Sequence, residues 1–593
     1  MIQGPFLIVL LGVFLALVAL LTLPIRLLFK RRVKRGKAVL KRLVVIGLDG
    51  LEPTRVERLL AADRLPHLKQ LTGPGQYQRL ATTTPPLSPV AWSTFSTGVN
   101  PGKHGIFDFV KRGRDYTLEL SCSTVVNNRP RWLRKSRSFW SVLGEHGVSS
   151  HILRVPVTWP PEKFDGFLLS ATGAPDLAGT QGTYTLFALE EPQQLQYGRW
   201  CRLRKTDDGL EGTLAESAGE VDFRFLGSQV MFQGQKVDIP ETGYSRWVKL
   251  RFSRSTGIVK FLRLKNGAYY MTPVQISPSR PSAPLSHPFN YVVSLAKILG
   301  PFATCGIAED LGGRNDGVLP LEDFLKQAQD IQSEREAQFF HALKRTPTGL
   351  CSVVFDLPDR VQHMTCDEEQ LDSLYLQMDQ LIGRVMEKLA PQDGLLVLSD
   401  HGFKPLRYLV DLNAWLEQEG YLVTQDGVIQ WEKTRAYTLG LCGVSLNREG
   451  REDKGWVTST EAELLTREIA EKLTRLSHDG QAVFREVLPA SRAYQGPYWK
   501  EAPDLVVGFK AGFAMNKEAS RGKVGPQVVV ENDLPWVADH GFSAQEVPGV
   551  LFSSLGLKQG ARLQDLAPTI LHLFGVTPPT YIDGESLWQG ASG

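Results

Sequence analysis

The stretch Leu395-Leu396-Val397-Leu398-Ser399-Asp400-His401-Gly402 places an Asp-His pair just beyond four consecutive apolar residues. A short apolar run reads as a strand buried on both faces, and open α/β sheets bind ligands beyond the carboxyl ends of such strands. The same arrangement occurs at Val44-Val45-Ile46-Gly47-Leu48, which runs into Asp49-Gly50. It occurs again at Ser352-Val353-Val354-Phe355, which leads to Pro358-Asp359-Arg360-Val361-Gln362-His363. Pro358 suits a first helical turn, and the i, i+4 spacing then puts Asp359 and His363 on one face, able to grip one ion. A fourth piece, Asp539-His540-Gly541, lies far downstream in a stretch of weak periodicity.

Taken singly, these motifs have ordinary readings. Asp49-Gly50 is also a turn dipeptide, and Asp359 is also a helix N-cap ahead of a surface histidine. Ser88, in Pro85-Pro86-Leu87-Ser88-Pro89-Val90-Ala91-Trp92, can be a plain N-cap. It can equally be a nucleophile at a helix N-terminus, where backbone N–H groups favour an approaching anion. The ensemble decides for an enzyme, because carboxylate and imidazole ligands recur after successive strands of one sheet, where they can converge on divalent ions.

These positions, in this order, resemble the alkaline phosphatase superfamily, and most closely its type I phosphodiesterase/nucleotide pyrophosphatase branch. The matching stretches are Val45 to Gly50, Ser88 to Gly105, Asp359 to His363, Ser399 to Gly402, His540, and the closing Asp565-Leu566-Ala567-Pro568-Thr569-Ile570 with Gly575 and Asp583-Gly584. The resemblance implies an α/β fold with a central sheet flanked by helices, and two divalent ions, Zn²⁺ or Mn²⁺. One ion would be held by Asp49, Ser88, Asp400 and His401, the second by Asp359, His363 and His540. It further implies that Ser88 attacks phosphorus to form a phosphoseryl intermediate, with two ions ~4 Å apart stabilising the entering and leaving oxygens.

Departures from the family pattern also inform the reading. An Asn that helps bind a phosphate oxygen in the nucleotide pyrophosphatase branch is Ala91 here. Lys103, His104 and Arg154 are candidate replacements on charge and type, with a solvated loop charge or a buried structural histidine as the competing readings. Val90 and Trp92 stand where sulfatases carry Pro and Arg, which disfavours a sulfatase. A cofactor-independent phosphoglycerate mutase carries its own insertion and no anchor, which places it low.

Met1 to Ile25 carries no charged side chain and is long enough to span a bilayer, so residues 1–26 are expected to form a transmembrane helix. A cleaved signal peptide is disfavoured by the missing basic n-region and cleavage site. Arg26 and the following segment, 27–42, together contribute nine Lys and Arg and no acid. This basic flank predicts a cytoplasmic catalytic domain in a single-pass membrane protein, with an extracytoplasmic domain as the alternative. Those nine charges exceed the formal net charge of +4, so the rest of the chain is net acidic and no nucleic-acid surface is implied. The six cysteines form no CxxC pair and read as reduced thiols.

Composition is that of a folded chain, with 42% hydrophobic and 22% charged residues. Residues 43–176 read as the first part of a catalytic α/β domain, including a helix near Ser138 to His146. From 177 to 288 the alternation in Val221-Asp222-Phe223-Arg224-Phe225, Trp247 to Phe252 and Ile258 to Arg263 predicts half-buried antiparallel strands of an inserted β-rich domain. Residues 289–593 resume the α/β pattern. The insertion could cap the site, hold a partner, build a homo-oligomer or only pack. The expected activity is a membrane-anchored phosphodiesterase acting on a nucleotide, lipid-linked or small phosphoester. A phosphotransferase, a phosphomonoesterase or mutase of the same superfamily, and a binding or scaffold protein on the same fold are the alternatives.

Overall fold

The computed structural model describes residues 35–126, 129–192, 195–216 and 219–589. An eight-stranded sheet forms its centre. In chain order the strands are β1 (Arg42–Leu48), β2 (Tyr77–Leu80), β3 (Ser150–Leu153), β4 (Gly166–Leu169), β5 (Ser286–His287), β6 (Gly349–Phe355), β7 (Gly394–Leu398) and β8 (Gly549–Ser553). Their spatial order is β2-β8-β7-β1-β6-β3-β4-β5. Strands β7, β1, β6, β3 and β4 are mutually parallel, whereas β8 and β5 run antiparallel to the neighbours they meet.

The apolar run of β1 is continuous because both faces of the strand are covered. Val44, Ile46 and Leu48 belong to one core, with Phe339 of a long helix (Leu321–Lys344) and Met378 and Leu381 of another (Glu368–Met386). Leu43 and Val45 point the other way, onto Trp92, Phe139, Trp140 and Ile570, which come from helices α1 (Ser88–Thr97), α2 (Phe139–Glu145) and a closing helix (Leu566–Leu573). Alternate side chains of one strand thus build two cores, giving a helix–sheet–helix sandwich. The helix expected near Ser138 is α2, with Ser138 as its N-cap and His146 as its C-cap.

Between Thr185 and Ile276 the chain builds three further sheets around its own aromatic core of Phe187, Phe223, Phe225, Phe232 and Phe261. Strand Gly219–Leu226 alternates as expected, burying Val221, Phe223 and Phe225. The expectation for Ile258 to Arg263 needs correcting. Two strands, Thr256–Val259 and Phe261–Arg263, replace one, and the first is buried on both faces. The central sheet also regains the chain before Pro288, since Ser286 and His287 pair with Leu169 and Leu168. A separate core, spanning 408–547, gathers Tyr408, Trp415, Tyr437, Leu505 and Phe542. This unit was not foreseen from the sequence.

The segment expected to cross a membrane lies outside the described residues. Among the described residues no helix is long and apolar enough to do so. The end of the basic segment, however, already belongs to the folded body. Leu40 is buried, Gly36 N–H donates to Gly575 O at 2.7 Å, and the Arg42 guanidinium pairs with Asp393, Nε donating at 2.8 Å.

Gly47 sits where β1 crosses α1. A Cβ there would lie 2.4 Å from the Trp92 ring and 2.9 Å from Val354 Cγ2, so only glycine fits beneath that indole. Gly47→Ala is expected to overpack the site and cost about 1–3 kcal/mol, read as a lower urea midpoint. An unchanged midpoint would show that the Trp92 ring has room to move.

Candidate active site

Because β7, β1 and β6 are adjacent and parallel, their carboxyl ends share one edge of the sheet. Leu48 is in register with Phe355, and Gly47 with Leu398. Neighbouring strands are ~4.8 Å apart, so residues just past these ends can converge. Asp49 follows β1, Asp400 and His401 follow β7, and after β6 the chain turns into helix α3 (Leu357–Met364), which carries Asp359 and His363 on one face. His540 arrives from the separate core unit. There Ala538 and Asp539 pair with Pro405 and Lys404 of the strand that follows His401.

Two triplets result, Asp49, Asp400 and His401 in one and Asp359, His363 and His540 in the other, each with its ligand atoms within 4.8 Å of one another. His401 Nε2 lies 3.4 Å from both Asp49 Oδ1 and Asp400 Oδ2. Asp359 Oδ1 lies 3.4 Å from His363 Nε2 and 3.6 Å from His540 Nε2. A tetrahedral ion with bonds of ~2.0–2.1 Å separates its ligand atoms by about 3.3–3.4 Å, so the triplets have the dimensions of two cation sites. Ser88 Oγ extends the first triplet, 3.4 Å from Asp49 Oδ1 and 3.2 Å from His401 Nε2. Of the two readings of Ser88, the cap does not hold. Leu87 occupies the N-cap position and Ser88 is the first residue of α1, directly followed by Pro89.

The histidines are pre-oriented by their second nitrogens. His363 Nδ1 lies 2.8 Å from Ala538 O, His540 Nδ1 2.8 Å from Pro86 O, and His401 Nδ1 3.2 Å from Gly402 O. A carbonyl only accepts, so each Nδ1 carries the proton and each Nε2 presents a lone pair to its triplet. The His401 and His540 rings stack at 3.7 Å and join the two triplets. On the carboxylate side, Trp92 Nε1 donates to Asp49 Oδ2 at 2.9 Å, and Arg360 pairs with Asp359 Oδ2. In each case the other oxygen, Oδ1, is left for its triplet.

Charge makes the case for cations. Both oxygens of Asp400 and Oδ1 of Asp359 are buried and accept no hydrogen bond. Burial, then repulsion from Asp359, pushes Asp49 well above the usual carboxylate range, and burial with Asp49 does the same to Asp400. Burial also opposes ionisation of Asp359, but His363 when protonated, together with Arg360, outweighs it and holds that carboxyl low. Burial lowers His401 and His540, favouring the neutral imidazoles a metal needs. Buried carboxylates without donors, beside neutral imidazoles, fit divalent ions of the Zn²⁺ or Mn²⁺ type.

A cavity of about 270 Å³ opens over Ser88, Asp49, Asp359, His363 and His540. The three residues offered as phosphate contacts do not line it. Lys103 pairs with Asp583 and donates to Tyr581 O at 2.9 Å. His104 is fully buried, with Nε2 3.0 Å from Thr94 Oγ1 and Nδ1 accepting from Ile106 N–H. Arg154 is buried and donates to Gln338, Ser170 O and Ala303 O. The cations that do line the cavity are Arg360, Lys517 and Arg521, beside Trp536 and Asp539. Arg360 and Asp539 adjoin expected ligands and could have been suspected for that reason. Lys517 and Arg521 lie in no motif, and only the packing of the separate core unit brings them here.

Two outcomes are expected. After metal loading and dialysis, His363→Ala and Asp400→Ala each retain about half of the wild-type metal, measured by elemental analysis; full retention in either variant would remove that residue from its site. His104 has its pKa pushed down to about 3 by burial and by Arg134. The unfolded chain binds that proton below about pH 6.5 and the folded chain does not, so stability rises with pH between about 3 and 6.5, by ~1.4 kcal/mol per pH unit. His104→Gln should flatten that slope in urea unfolding followed from pH 5 to 7.

Residues 43–192 and 225–543 match the model of the type I phosphodiesterase / nucleotide pyrophosphatase family. The six triplet residues and Ser88 all fall inside the matched segments. Among solved structures, phosphonoacetate hydrolase from Sinorhizobium meliloti 1021, in complex with phosphonoformate, is similar at 13% identity and TM-score 0.46, over 91% of this chain and 97% of that one. Murine ectonucleotide pyrophosphatase/phosphodiesterase 5, in complex with AMP, is similar at 12% and 0.43, over 91% and 96%. Wild-type alkaline phosphatase PafA is similar at 11% and 0.46, over 94% and 99%. No curated protein sequence matches the chain. With the family match covering well over half of its length, the chain belongs to the type I phosphodiesterase / nucleotide pyrophosphatase family.

Proposed function

We propose that the protein is a two-metal phosphodiesterase in which Ser88 is the nucleophile, Asp49, Asp400 and His401 with Ser88 hold one ion, and Asp359, His363 and His540 hold the other. The observation that carries this reading is the position of Ser88 Oγ, at ligand distance from Asp49 and His401 and open to the cavity. Bound at these triplets, divalent ions supply positive charge to the entering and leaving oxygens of an in-line displacement. Ser88 Oγ forms the new bond to phosphorus as the bond to the leaving alcohol breaks. Its proton passes to solvent, and the departing oxygen takes one up. Water then cleaves the phosphoseryl ester and restores the serine. The backbone carbonyls behind His363, His401 and His540 keep the three rings from turning between these steps.

Arg360 is held by Asp359, with Asp356 and Glu309 each 3.6 Å away. It lines the cavity and takes the place of the lysine, histidine and arginine that the structure puts elsewhere. It contributes positive charge toward a bound phosphate without giving up its grip on Asp359. The uncharged segment 1–25 and the basic residues after it support a membrane location with the catalytic unit on the cytoplasmic side. Fractionation and protease protection of the tagged protein test this, and complete digestion in sealed right-side-out cells would reverse the orientation.

The activity is tested with bis-p-nitrophenyl phosphate and p-nitrophenyl phosphate in Mn²⁺ or Zn²⁺. Metal-dependent hydrolysis with preference for the diester is expected, and Ser88→Ala should lower kcat by at least about 10³-fold. Undiminished turnover in Ser88→Ala would eliminate the phosphoseryl route. Preference for the monoester would make the protein a phosphatase.

A further inference from the structure

The site occupies the carboxyl edge of the central sheet. β1 spans seven residues, so the amino edge lies ~20 Å away from the triplets. The loops that feed the strands at that amino edge are rich in cations. Lys37 and Lys41 precede β1, Lys163 precedes β4, Lys344 and Arg345 precede β6, and Lys388 precedes β7. All six are exposed, and the five lysines make no ion pair or side-chain hydrogen bond among the described residues. Acids are few beside them. Asp393 is held by Arg42, Glu162 accepts from Ser138 Oγ and Trp140 Nε1, and Asp165 and Glu387 offset two of the charges at most.

Helix ends account for part of this pattern. Lys344 closes one helix and Lys388 follows another, where the dipole favours a cation. Lys37, Lys41 and Lys163 belong to no helix. Apolar side chains are exposed on the same edge. β5 runs antiparallel to β4 with His287 opposite Leu168, so Phe289 emerges at the amino end of β4, where it is 54% exposed. Phe167 of β4 and Val39 are also exposed there. A strongly basic face with protruding apolar side chains matches an anionic lipid surface in charge and in polarity.

The point at which the chain enters the fold agrees with that occupant. The uncharged apolar stretch ends at Ile25, and ten residues, at most ~36 Å of extended chain, lead from it to Arg35. Gly36 N–H donates to Gly575 O, and Val39 and Leu40 N–H donate to Leu573 O, which fixes the chain to the amino edge at once. An apolar stretch held in a bilayer therefore keeps this edge, and not the triplets, beside the headgroups. We propose that the amino edge of the central sheet is a lipid-contact face that lies on the anionic surface of a bilayer, with its lysines at the headgroup phosphates and Phe289 among them. This rests on the membrane location proposed above and adds which way the enzyme faces, with the triplets turned toward water.

The test uses the full chain in nanodiscs of phosphatidylcholine, with or without phosphatidylserine, and times the acetylation of each lysine by mass spectrometry. Lys41, Lys163, Lys344 and Lys388 should react about fivefold more slowly in the phosphatidylserine discs, and high salt should remove most of that difference. Lys236 and Lys249, exposed on the insertion, should react alike in both. Equal rates at the four edge lysines in the two discs overturn the proposal, as does slowing that extends to Lys236 and Lys249. Slowing in detergent that grows with protein concentration makes the edge a contact between copies and also overturns it. In a second arm Lys163→Gln, Lys344→Gln and Lys388→Gln are combined, with folding checked by the urea midpoint. Lys41 should then react in the phosphatidylserine discs at its rate in the neutral ones, and continued slowing there shows that nearness to the anchor, not the face, protects it. A chain that does not enter nanodiscs removes the membrane anchor; the face by itself should still carry it up with phosphatidylserine vesicles and not with phosphatidylcholine vesicles in flotation. Flotation with neither, or with both alike, overturns the face as well.

Discussion

Three carboxylates, Asp49, Asp359 and Asp400, are buried side by side with too few donors to neutralise them. An isolated buried charge costs several kcal/mol even after relaxation, so this arrangement is tolerable only where positive charge is brought to it. Arg360 supplies part, on the far oxygen of Asp359. The near oxygens and three imidazole lone pairs are left facing two points in space, and divalent ions at those points would relieve the repulsion that otherwise pushes Asp49 and Asp400 toward protonation. Much of the surrounding structure can be understood as holding that repulsion in place until it is relieved.

The sheet does most of this holding. Adjacent parallel strands must end at a common edge, and β7, β1 and β6 are adjacent, so β1 and two strands hundreds of residues further along the chain deliver their polar ends within a few ångströms. Trp92 extends the constraint across the layer. Its ring packs on Gly47 of β1 while its Nε1 orients Asp49, and it stands one turn after Ser88 on α1. Packing of one helix on one strand thereby sets the distance between Ser88 and Asp49.

The two additions to the sheet have separate tasks. The unit at 408–547 delivers His540 and the cavity cations Lys517 and Arg521. The insertion supplies the outer wall of a second cavity, of about 490 Å³, that adjoins the catalytic one. Both reach the sheet's carboxyl edge, the side where an open α/β fold leaves room for a ligand. The central sheet carries the chemistry, and the attached units decide what can approach it.

Much of the site was legible in the sequence because its ligands sit at strand ends and at i, i+4 on a helix, and both positions leave a local signature. The Asp49 and Asp400 motifs follow short apolar runs that read as doubly buried strands, and Asp359 and His363 follow a proline that suits a helix start. The second β-containing unit was missed because its strands are short and their apolar residues meet partners far along the chain. Lys103, His104 and Arg154 were misplaced as phosphate contacts for a related reason. A basic residue's sequence neighbourhood states its charge but not its partners, and these three are engaged by Asp583, Thr94 and Gln338. The sequence alone determined which atoms could bind metal and that their strands share one sheet, since pattern and spacing are local properties. Only the tertiary structure decided which cations line the cavity and what adjoins it, because those depend on contacts between segments that no local pattern encodes.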